Sequence, residues 1–338
     1  MDQLIECIPN ISEGRNENII AQISKIIEDY PQVYLLHKDV GYDANRTVFS
    51  LVGQPKAVLN CMYQVYGYCA EKIDMEKHEG THPRIGAIDV CPFVVVKGIR
   101  EIDLIPLVKT FAERVTTDLG IPGFLYEFSA LAENRKNLEY IRSGQYEKLS
   151  EKLLLEEWKT DVGPVIFNSK FGATVIGVRK YLLAYNVNLN TEDEKIALNI
   201  ARKIRTSGYV TKDEQGIKYR KRGKLKAVKA LGWFVDEYEM AQVSTNIVDI
   251  DQTTLADVFE ACREEGKKYD VTVLGSEIIG LVPLKAMTDA GKFYLKENNS
   301  SDQKLISAAI QNLGLEKINP FIPEERILEY VLSNAINQ

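Results

Sequence analysis

The sequence predicts an α+β fold made of two ferredoxin-like (βαββαβ) subdomains with mixed or antiparallel sheets, helices on one face of each, and a C-terminal helical tail. Three observations support this prediction. The 338 residues are enough for two domains. Hydrophobic patterns in the first half follow the order strand, helix, strand, strand, helix, strand, and the second half follows the same order without repeating residues. We expect subdomains at residues 1–180 and 181–300 and the helical tail at 301–338.

In the first half, an apolar run at residues 4–8 predicts a short strand, followed by a polar turn at 9–15. Isoleucines on one face then predict a helix. Two β-rich runs, at 33–37 and 47–52, are joined by a charged loop at 38–46. Pro55 suits the first turn of a helix that reaches about residue 73. A loop rich in glycine and histidine leads from that helix into the strand at 88–96.

The middle of the chain adds an amphipathic helix at 103–119, a short apolar run at 124–128 and a charged, mostly helical stretch at 134–158. The second pass of strands and helices begins with a β-rich run at 174–189. A helix at 192–205, strands near 225–235 and 240–250, a helix at 253–266 and a strand near 271 follow. Basic residues cluster between Lys218 and Lys229, which predicts either a solvated hairpin or an electropositive lip for a polyanionic small molecule.

The composition indicates a soluble protein, with 45% hydrophobic and 27% charged residues. A net charge of -6 gives no support to a nucleic-acid partner. The first residues lack a secretory signal and no apolar run reaches membrane-spanning length, so we expect a cytoplasmic protein without membrane contact. The 5 cysteines are scattered and contain no Cys-x-x-Cys pair, which predicts neither disulfides nor a metal site.

The loop before the strand at 88–96 holds two of the 3 histidines, His78 and His82. Histidine is the side chain whose unperturbed pKa lies nearest neutrality, and Pro83 keeps His82 out of a helix. Gly80 and Gly86 permit sharp turns around it. His82 is therefore the candidate general base. The alternative is that His78 and His82 only hydrogen-bond the loop.

Other polar residues fall on loops that a split βαβ sheet can bring to the same edge. A carboxylate beside an imidazole orients the ring, which makes Asp39 the candidate partner of His82. Arginine suits bidentate binding of carboxylates, and asparagine suits polar substrate groups. The candidate substrate-binding residues are Asn10, Arg15, Asn45, Arg46 and Arg84.

A second glycine-punctuated stretch, residues 161–174, predicts either a groove for a flat aromatic ligand or an interdomain linker. Cys91, near the histidine loop, is either a nucleophile or a buried, inert thiol. The sequence contains no P-loop, Rossmann glycine fingerprint or Gly-x-Ser-x-Gly elbow. Nucleotide-driven and serine-hydrolase chemistry are therefore disfavoured.

Several long motifs occur in an order that resembles the glutamate formimidoyltransferase family, the formiminotransferase part of formiminotransferase-cyclodeaminase. The resemblance covers nearly the whole chain, and its most specific motif is HEGTHPRIGAIDV at 78–90. The others are ECIPNISEGR at 6–15, NRT at 45–47, the stretch 163–174, AQVSTN at 241–246 and GSEIIGLVP at 275–283. Because the chain stops near the point where a cyclodeaminase part begins in that family, we expect a stand-alone transferase.

The resemblance implies transfer of the formimino group from N-formimino-L-glutamate to tetrahydrofolate, giving 5-formimidotetrahydrofolate and L-glutamate in histidine degradation. Tetrahydrofolate is then a co-substrate, no metal is involved, and the protein is a homodimer. The family's catalytic base falls on His82. Its folate-binding segment falls on Gly163, Pro164, Val165, Ile166, Phe167, Asn168, Ser169, Lys170, Phe171 and Gly172.

This sequence departs from the family pattern at Ile85, Ile166 and Ser169, where methionine, a polar residue and proline are expected. The last two positions leave individual folate contacts open. Two other functions remain open: a related folate-dependent enzyme that transfers formyl groups, and a non-catalytic folate-binding protein. An intact loop around His82 favours an enzyme, since a binding protein needs no base beside its ligand.

Overall fold

The computed structural model describes residues 2–297 and 299–337 and has the predicted α+β composition. Two compact units divide between Lys180 and Tyr181. Each unit contains a sheet and its own hydrophobic core. No helix among these residues is both long enough and apolar enough to span a membrane.

The first unit contains a single mixed sheet of seven strands. The strands are β1 (Leu4–Cys7), β2 (Asn10–Ile11), β3 (Val33–Gly41), β4 (Arg46–Gly53), β5 (Ile88–Lys97), β6 (Gly123–Leu125) and β7 (Thr174–Val178). The helices are α1 (Glu17–Glu28), α2 (Pro55–Lys72), α3 (Glu101–Leu119), α4 (Leu138–Ile141) and α5 (Leu149–Lys152). Strands β1 and β2 both lie between β4 and β5, β3 pairs with the other side of β4, and β5 continues in parallel to β7 and β6.

One face of this sheet packs against the three long helices. Asn16 caps α1 by accepting from the backbone of Asn18 and Ile19, and the isoleucines that predicted this helix form its buried face. Each isoleucine that becomes fully buried contributes about 1.5–3 kcal/mol. Helices α2 and α3 contribute to the same core. The opposite side chains of β5, β6 and β7 form a second cluster, which residues 138–158 cover.

The structure corrects the predicted loop at 38–46. Strand β3 continues to Gly41 and β4 begins at Arg46, so Asp39 lies in the ladder opposite Val48. Strand β3 is at the edge of the sheet, where charged side chains reach solvent without disturbing the ladder. Asn10 likewise lies in the short strand β2 rather than in a turn.

The run at 174–189 was predicted as a single β-rich element and is two strands, because β7 ends at Val178 and joins the first sheet. The second unit starts its own sheet with the next strand. Its strands are β8 (Leu183–Leu189), β9 (Tyr209–Lys212), β10 (Lys218–Lys221), β11 (Val228–Val235), β12 (Met240–Ile247) and β13 (Val273–Ile279). Its helices are α6 (Glu194–Ile204), α7 (Leu255–Gly266), α8 (Leu284–Leu295), α9 (Asp302–Leu313), α10 (Pro323–Arg326) and α11 (Leu328–Asn337).

The second sheet is antiparallel, in the order β11-β12-β8-β13. This is the same spatial order as β3-β4-β1-β5 in the first unit. Helix α8 was not predicted, whereas α9 falls within the helical tail expected at 301–338 and contributes Ile306, Ala309 and Leu313 to the second core. Strands β9 and β10 form the exposed hairpin that the basic cluster predicted.

Candidate functional site

His82 lies half-buried in the loop between α2 and β5. Its Nδ1 is 2.8 Å from the carbonyl oxygen of Pro83, and its Nε2 contacts a guanidinium nitrogen of Arg46. A guanidinium can only donate hydrogen bonds. We therefore assign the ring proton to Nδ1, which donates to Pro83, and an acceptor lone pair to Nε2.

The pKa of His82 is lowered from 6.5 to about 4. Burial is the largest cause, followed by the positive charges of Arg46 and Arg142, while the Pro83 carbonyl and Asp89 act in the opposite direction. The imidazole is consequently neutral at physiological pH, as a general base must be.

Arg142 and Asp89 form the second charged part of the site. Asp89 is fully buried on β5, where it pairs with Arg142 and accepts a hydrogen bond of 3.0 Å from the backbone nitrogen of Ile85. Burial and Arg142 lower the pKa of Arg46 to about 10, against the opposing effects of Asp89 and Asp39. Within the described residues, the buried Nε of Arg46 has no hydrogen-bond partner.

Lys152 holds the backbone on both sides of Arg142. Its ammonium donates to the carbonyl oxygens of Ile141 at 2.6 Å and Ser143 at 2.8 Å, and it lies 3.5 Å from the centre of the Trp158 ring. Burial lowers the pKa of Lys152 to about 8. Because it is tied to both carbonyls, this lysine fixes the point from which Arg142 reaches Asp89.

The structure places Asp39 differently from the sequence prediction. It is exposed on β3 and influences Arg46 electrostatically, whereas Nδ1 of His82 bonds to Pro83. Arg15 is also exposed, with its guanidinium 5.5 Å from the centre of the Tyr42 ring.

Two other predicted residues, Asn45 and His78, connect the loops around the site. Asn45 Oδ1 accepts from the backbone nitrogen of Gly14 at 2.9 Å, and its Nδ2 donates to the carbonyl of Glu79 at 2.9 Å. His78 Nε2 donates to the carbonyl of Asn45 at 2.8 Å, and burial lowers the pKa of His78. These contacts of His78 fit the alternative stated above, in which the histidine only hydrogen-bonds the loop.

Arg84 is buried, and its guanidinium is already engaged. It donates to Nδ1 of His78 at 3.2 Å and to the His78 carbonyl at 3.1 Å, and it forms a salt bridge of 2.7 Å with Glu147. Asn10 is buried too, and its amide nitrogen donates to the carbonyl of Ile8 at 2.8 Å. These side chains hold the loops in place by bonds within the protein.

Residues 163–172 belong to the first unit and are not an interdomain linker. The end of this segment pairs with the strand that leaves the histidine loop, since the backbone nitrogen of Ala87 donates to the carbonyl of Phe171 at 2.7 Å. At Gly172, which has φ +77°, a Cβ would lie 2.2 Å from the carbonyl oxygen of Ile85. Only glycine permits this approach. Val165 and Ile166 are exposed at the other end.

Sequence reasoning missed the roles of Arg142, Lys152 and Asp89. Arg142 is 53 positions from Asp89 in a segment without a recognisable motif, so only the packing of residues 138–158 brings the two together. Asp89 belongs to the histidine motif, but the sequence does not reveal that it is buried beside an arginine. Cys91 is fully buried, with its sulfur 3.5 Å from that of Cys7. Residues 2–297 and 299–337 contain no group of three or more acidic, cysteine or histidine side chains arranged to hold a metal ion.

Taken together, the α+β fold and a neutral histidine that contacts Arg46 and is influenced by the charge of Arg142 define a site suited to proton transfer on an anionic substrate. Residues 4–179 match the formiminotransferase domain, N-terminal subdomain, and residues 184–333 match the formiminotransferase domain. The chain belongs to the formiminotransferase family.

Named relatives agree with this assignment. The chain is 41% identical to formimidoyltransferase-cyclodeaminase of Mus musculus, over 99% of its own length and 61% of the relative's. It is 40% identical to glutamate formimidoyltransferase of Streptococcus pyogenes serotype M1, over 90% of its length and 98% of the relative's. It is 35% identical to glutamate formimidoyltransferase of Thermoplasma acidophilum, over 91% and 97%. The chain thus spans about three fifths of the length of the bifunctional mouse relative.

Proposed function

We propose that the protein is a glutamate formimidoyltransferase, which transfers the formimino group of N-formimino-L-glutamate to tetrahydrofolate. The observation that carries this proposal is His82, a neutral imidazole with its Nε2 lone pair turned toward Arg46. Membership of the formiminotransferase family supplies the reaction class. The chemistry needs a base for the attacking amine and cationic groups for a donor with two carboxylates, and this site has both.

The donor carboxylates bind Arg46 and Arg142 in this proposal. The buried Nε of Arg46, which has no partner among the described residues, is a donor that a carboxylate oxygen satisfies. Binding an anion draws Arg46 away from His82 and neutralises part of the positive charge, which raises the pKa of His82 and makes it a stronger base. Asp39 acts as a positioning residue through Arg46. Asn10, Arg15 and Asn45 stay proposed substrate-binding residues, with their backbone and loop contacts supporting the shape of the site. Arg84 was predicted to bind a substrate carboxylate, but because His78 and Glu147 already occupy its guanidinium, its proposed role is to support the histidine loop.

The transfer step balances without a covalent enzyme intermediate. The secondary amine of tetrahydrofolate attacks the amidine carbon, and a new carbon-nitrogen bond forms as His82 Nε2 accepts the amine proton. The bond between that carbon and the glutamate nitrogen then breaks. The imidazolium of His82 returns the proton to the departing nitrogen, giving L-glutamate and 5-formimidotetrahydrofolate.

Tetrahydrofolate is proposed as a co-substrate, with residues 163–172 as part of its site. Their pairing with the strand after the histidine loop supports this placement, and Val165 and Ile166 offer exposed apolar surface. We further propose that both units are ferredoxin-like, on the basis of their common strand order. A role in histidine degradation, a homodimeric state, a cytoplasmic location and a reaction without metal belong to the same proposal.

The test is the release of L-glutamate from N-formimino-L-glutamate with and without tetrahydrofolate. We compare the native chain with folded His82→Ala and with His37→Gln, a histidine on β3 outside the loop. Release that needs folate, falls by at least about a hundredfold in His82→Ala and persists in His37→Gln supports the proposal. Release of L-glutamate from N-formyl-L-glutamate but not from N-formimino-L-glutamate assigns a formyltransferase instead. Folate binding without any release assigns a binding protein.

A further inference from the structure

Lys152 is a buried cation outside the histidine loop. It is 8% exposed, and its ammonium donates to the carbonyl oxygens of Ile141 and Ser143 and, at 3.3 Å, to the Ser143 hydroxyl, while the face of the Trp158 ring lies against it. These partners are neutral, and burial and the charge of Arg135 lower the pKa of the ammonium to about 8. Burying a cation among neutral groups is costly. What the cation adds over an apolar side chain is a fixed position for the two carbonyls.

The segment that these contacts hold has little regular structure of its own. Helices α4 and α5 have four residues each, and helices this short are not stable by themselves. Between them, Gly144 and Gln145 have φ values of +81° and +55°, which end the helical path. Arg142 lies directly after α4, between the two carbonyls that Lys152 binds. The lysine, rather than a long helix, therefore sets the position of Arg142.

Arg142 connects that position to the histidine loop. Its Nε donates to Oδ1 of Asp89 at 3.3 Å, and a second guanidinium nitrogen donates to Oδ2. The same Oδ1 accepts the backbone N–H of Ile85, three residues after His82. After burial and Arg46, the charge of Arg142 also contributes to the low pKa of His82. A displaced Arg142 therefore changes the charge at the base and the support of its loop together.

We propose that Lys152 is a positioning residue for donor binding. It acts through Arg142, by holding the guanidinium where it pairs with Asp89 and meets a donor carboxylate. This inference rests on the proposed function, in which Arg142 binds the donor. The alternative is that Lys152 only caps the end of α4, as cations near helix C-termini commonly do. The two roles differ in whether loss of the ammonium changes donor affinity and the pKa of His82.

The first experiment compares Lys152→Met with Lys148→Met, an exposed lysine that lines the same surface cavity. Methionine keeps an unbranched side chain against Trp158 and removes the ammonium. In Lys152→Met the KM for N-formimino-L-glutamate should rise about 10-fold while kcat changes less than about threefold, because carboxylate binding is common to the ground state and the transition state. The pKa of His82, followed by nuclear magnetic resonance, should rise above its native value of about 4. Lys148→Met should leave both quantities unchanged.

A double-mutant cycle tests whether Lys152 acts through Arg142. Arg142→Gln removes the charge but keeps an N–H donor for the buried carboxylate of Asp89. Adding Lys152→Met to Arg142→Gln should raise the donor KM less than about twofold, because the positioned charge is already absent. A further rise of about tenfold would show that Lys152 acts by another route, and it would overturn the proposal.

Chemical rescue of Lys152→Ala provides a second variant. The n-propylammonium ion is the part of the side chain that this change removes, and a surface cavity of about 470 Å³ beside Lys152 gives it access. It should lower the donor KM of Lys152→Ala toward the native value, whereas uncharged n-propanol should not.

The outcomes separate the inference from the proposed function. Native turnover with a native donor KM and a native His82 pKa in Lys152→Met, whatever its loss of stability, assigns Lys152 to the helix cap and refutes only the inference. Native protein that releases no glutamate refutes the proposed function. In that case a raised His82 pKa in Lys152→Met, with no change in Lys148→Met, still supports the positioning of Arg142, and an unchanged pKa overturns it.

Discussion

Replacing Arg46 with methionine should raise the pKa of His82 and weaken donor binding at the same time. Arg46 contacts Nε2 of His82 and is the second largest cause, after burial, of the low pKa. Methionine keeps an unbranched side chain of comparable reach but removes the charge. The principal contact of Arg46 is with the neutral ring of His82. Removing Arg46 therefore does not deprive a buried carboxylate of its direct partner.

The lowering of the His82 pKa from 6.5 to about 4 corresponds to about 3 kcal/mol in favour of the neutral imidazole. Arg46 supplies part of this, so the pKa in Arg46→Met should lie between about 4 and 6.5. The acid limb of kcat/KM, where the base becomes protonated, should move upward by the same amount. Loss of a charged hydrogen bond of about 1.5–3 kcal/mol should raise the KM for N-formimino-L-glutamate about 10- to 100-fold.

Nuclear magnetic resonance titration can follow His82 directly, since the chain has only 3 histidines and the His82→Gln variant identifies its signal. Arg46→Lys, which keeps a cation, should retain most of the pKa lowering. Arg114→Met, on the exposed surface of α3, should leave the titration unchanged. An unaltered His82 pKa in folded Arg46→Met would show that burial and Arg142 account for the shift without Arg46, and that the charge of Arg46 is not part of the site.

Three further predictions concern stability and the loops. As the pH falls, the unfolded chain takes up a proton at His82 at a higher pH than the folded chain does. Between pH 7 and pH 4 the native protein should therefore lose about 3 kcal/mol of unfolding free energy relative to His82→Gln. Equal acid sensitivity of the two proteins in urea unfolding would contradict this. Gly172→Ala adds a clash with a carbonyl oxygen to an unfavourable φ and should cost more than about 2 kcal/mol, whereas Gly120→Ala, with a similar φ and open space, should cost about 1 kcal/mol in the same assay. Arg84→Met should cost about 2 kcal/mol while changing the donor KM less than about twofold, since its guanidinium is occupied; a tenfold rise in KM would restore it as a carboxylate clamp.

Much of the fold could be predicted from local sequence patterns. Period-3.6 isoleucines gave α1, and a proline in the first turn gave the start of α2. Charged residues on an edge strand, by contrast, have the same composition as a loop, which is why the end of β3 was misjudged. The break between β7 and β8 exists because β7 belongs to the first sheet and β8 to the second. This division depends on pairing with strands that are distant in sequence, which a local pattern does not show.

The candidate site was predictable where chemistry and chain proximity coincide. His82 belongs to a scarce residue type and lies in a glycine-rich loop. Arg46 directly follows a turn, and this turn brings Arg46 into contact with His82. Arg142 had no such signal because its position depends on residues 138–158 packing on the sheet. Arg84 had the right residue type, but a sequence does not reveal that His78 and Glu147 already occupy its hydrogen-bonding groups.

The contacts of Asn45 connect three segments that are far apart in sequence. One side chain holds Gly14 and Glu79, and its own carbonyl holds His78. We therefore expect these segments to open together. The backbone amide of Gly14 should exchange with deuterium at the same rate as the other backbone amides of these three segments, through one shared opening. A change at this single amide, at the tip of the β3–β4 hairpin, should therefore loosen the first loop of the sequence and the histidine loop in one event.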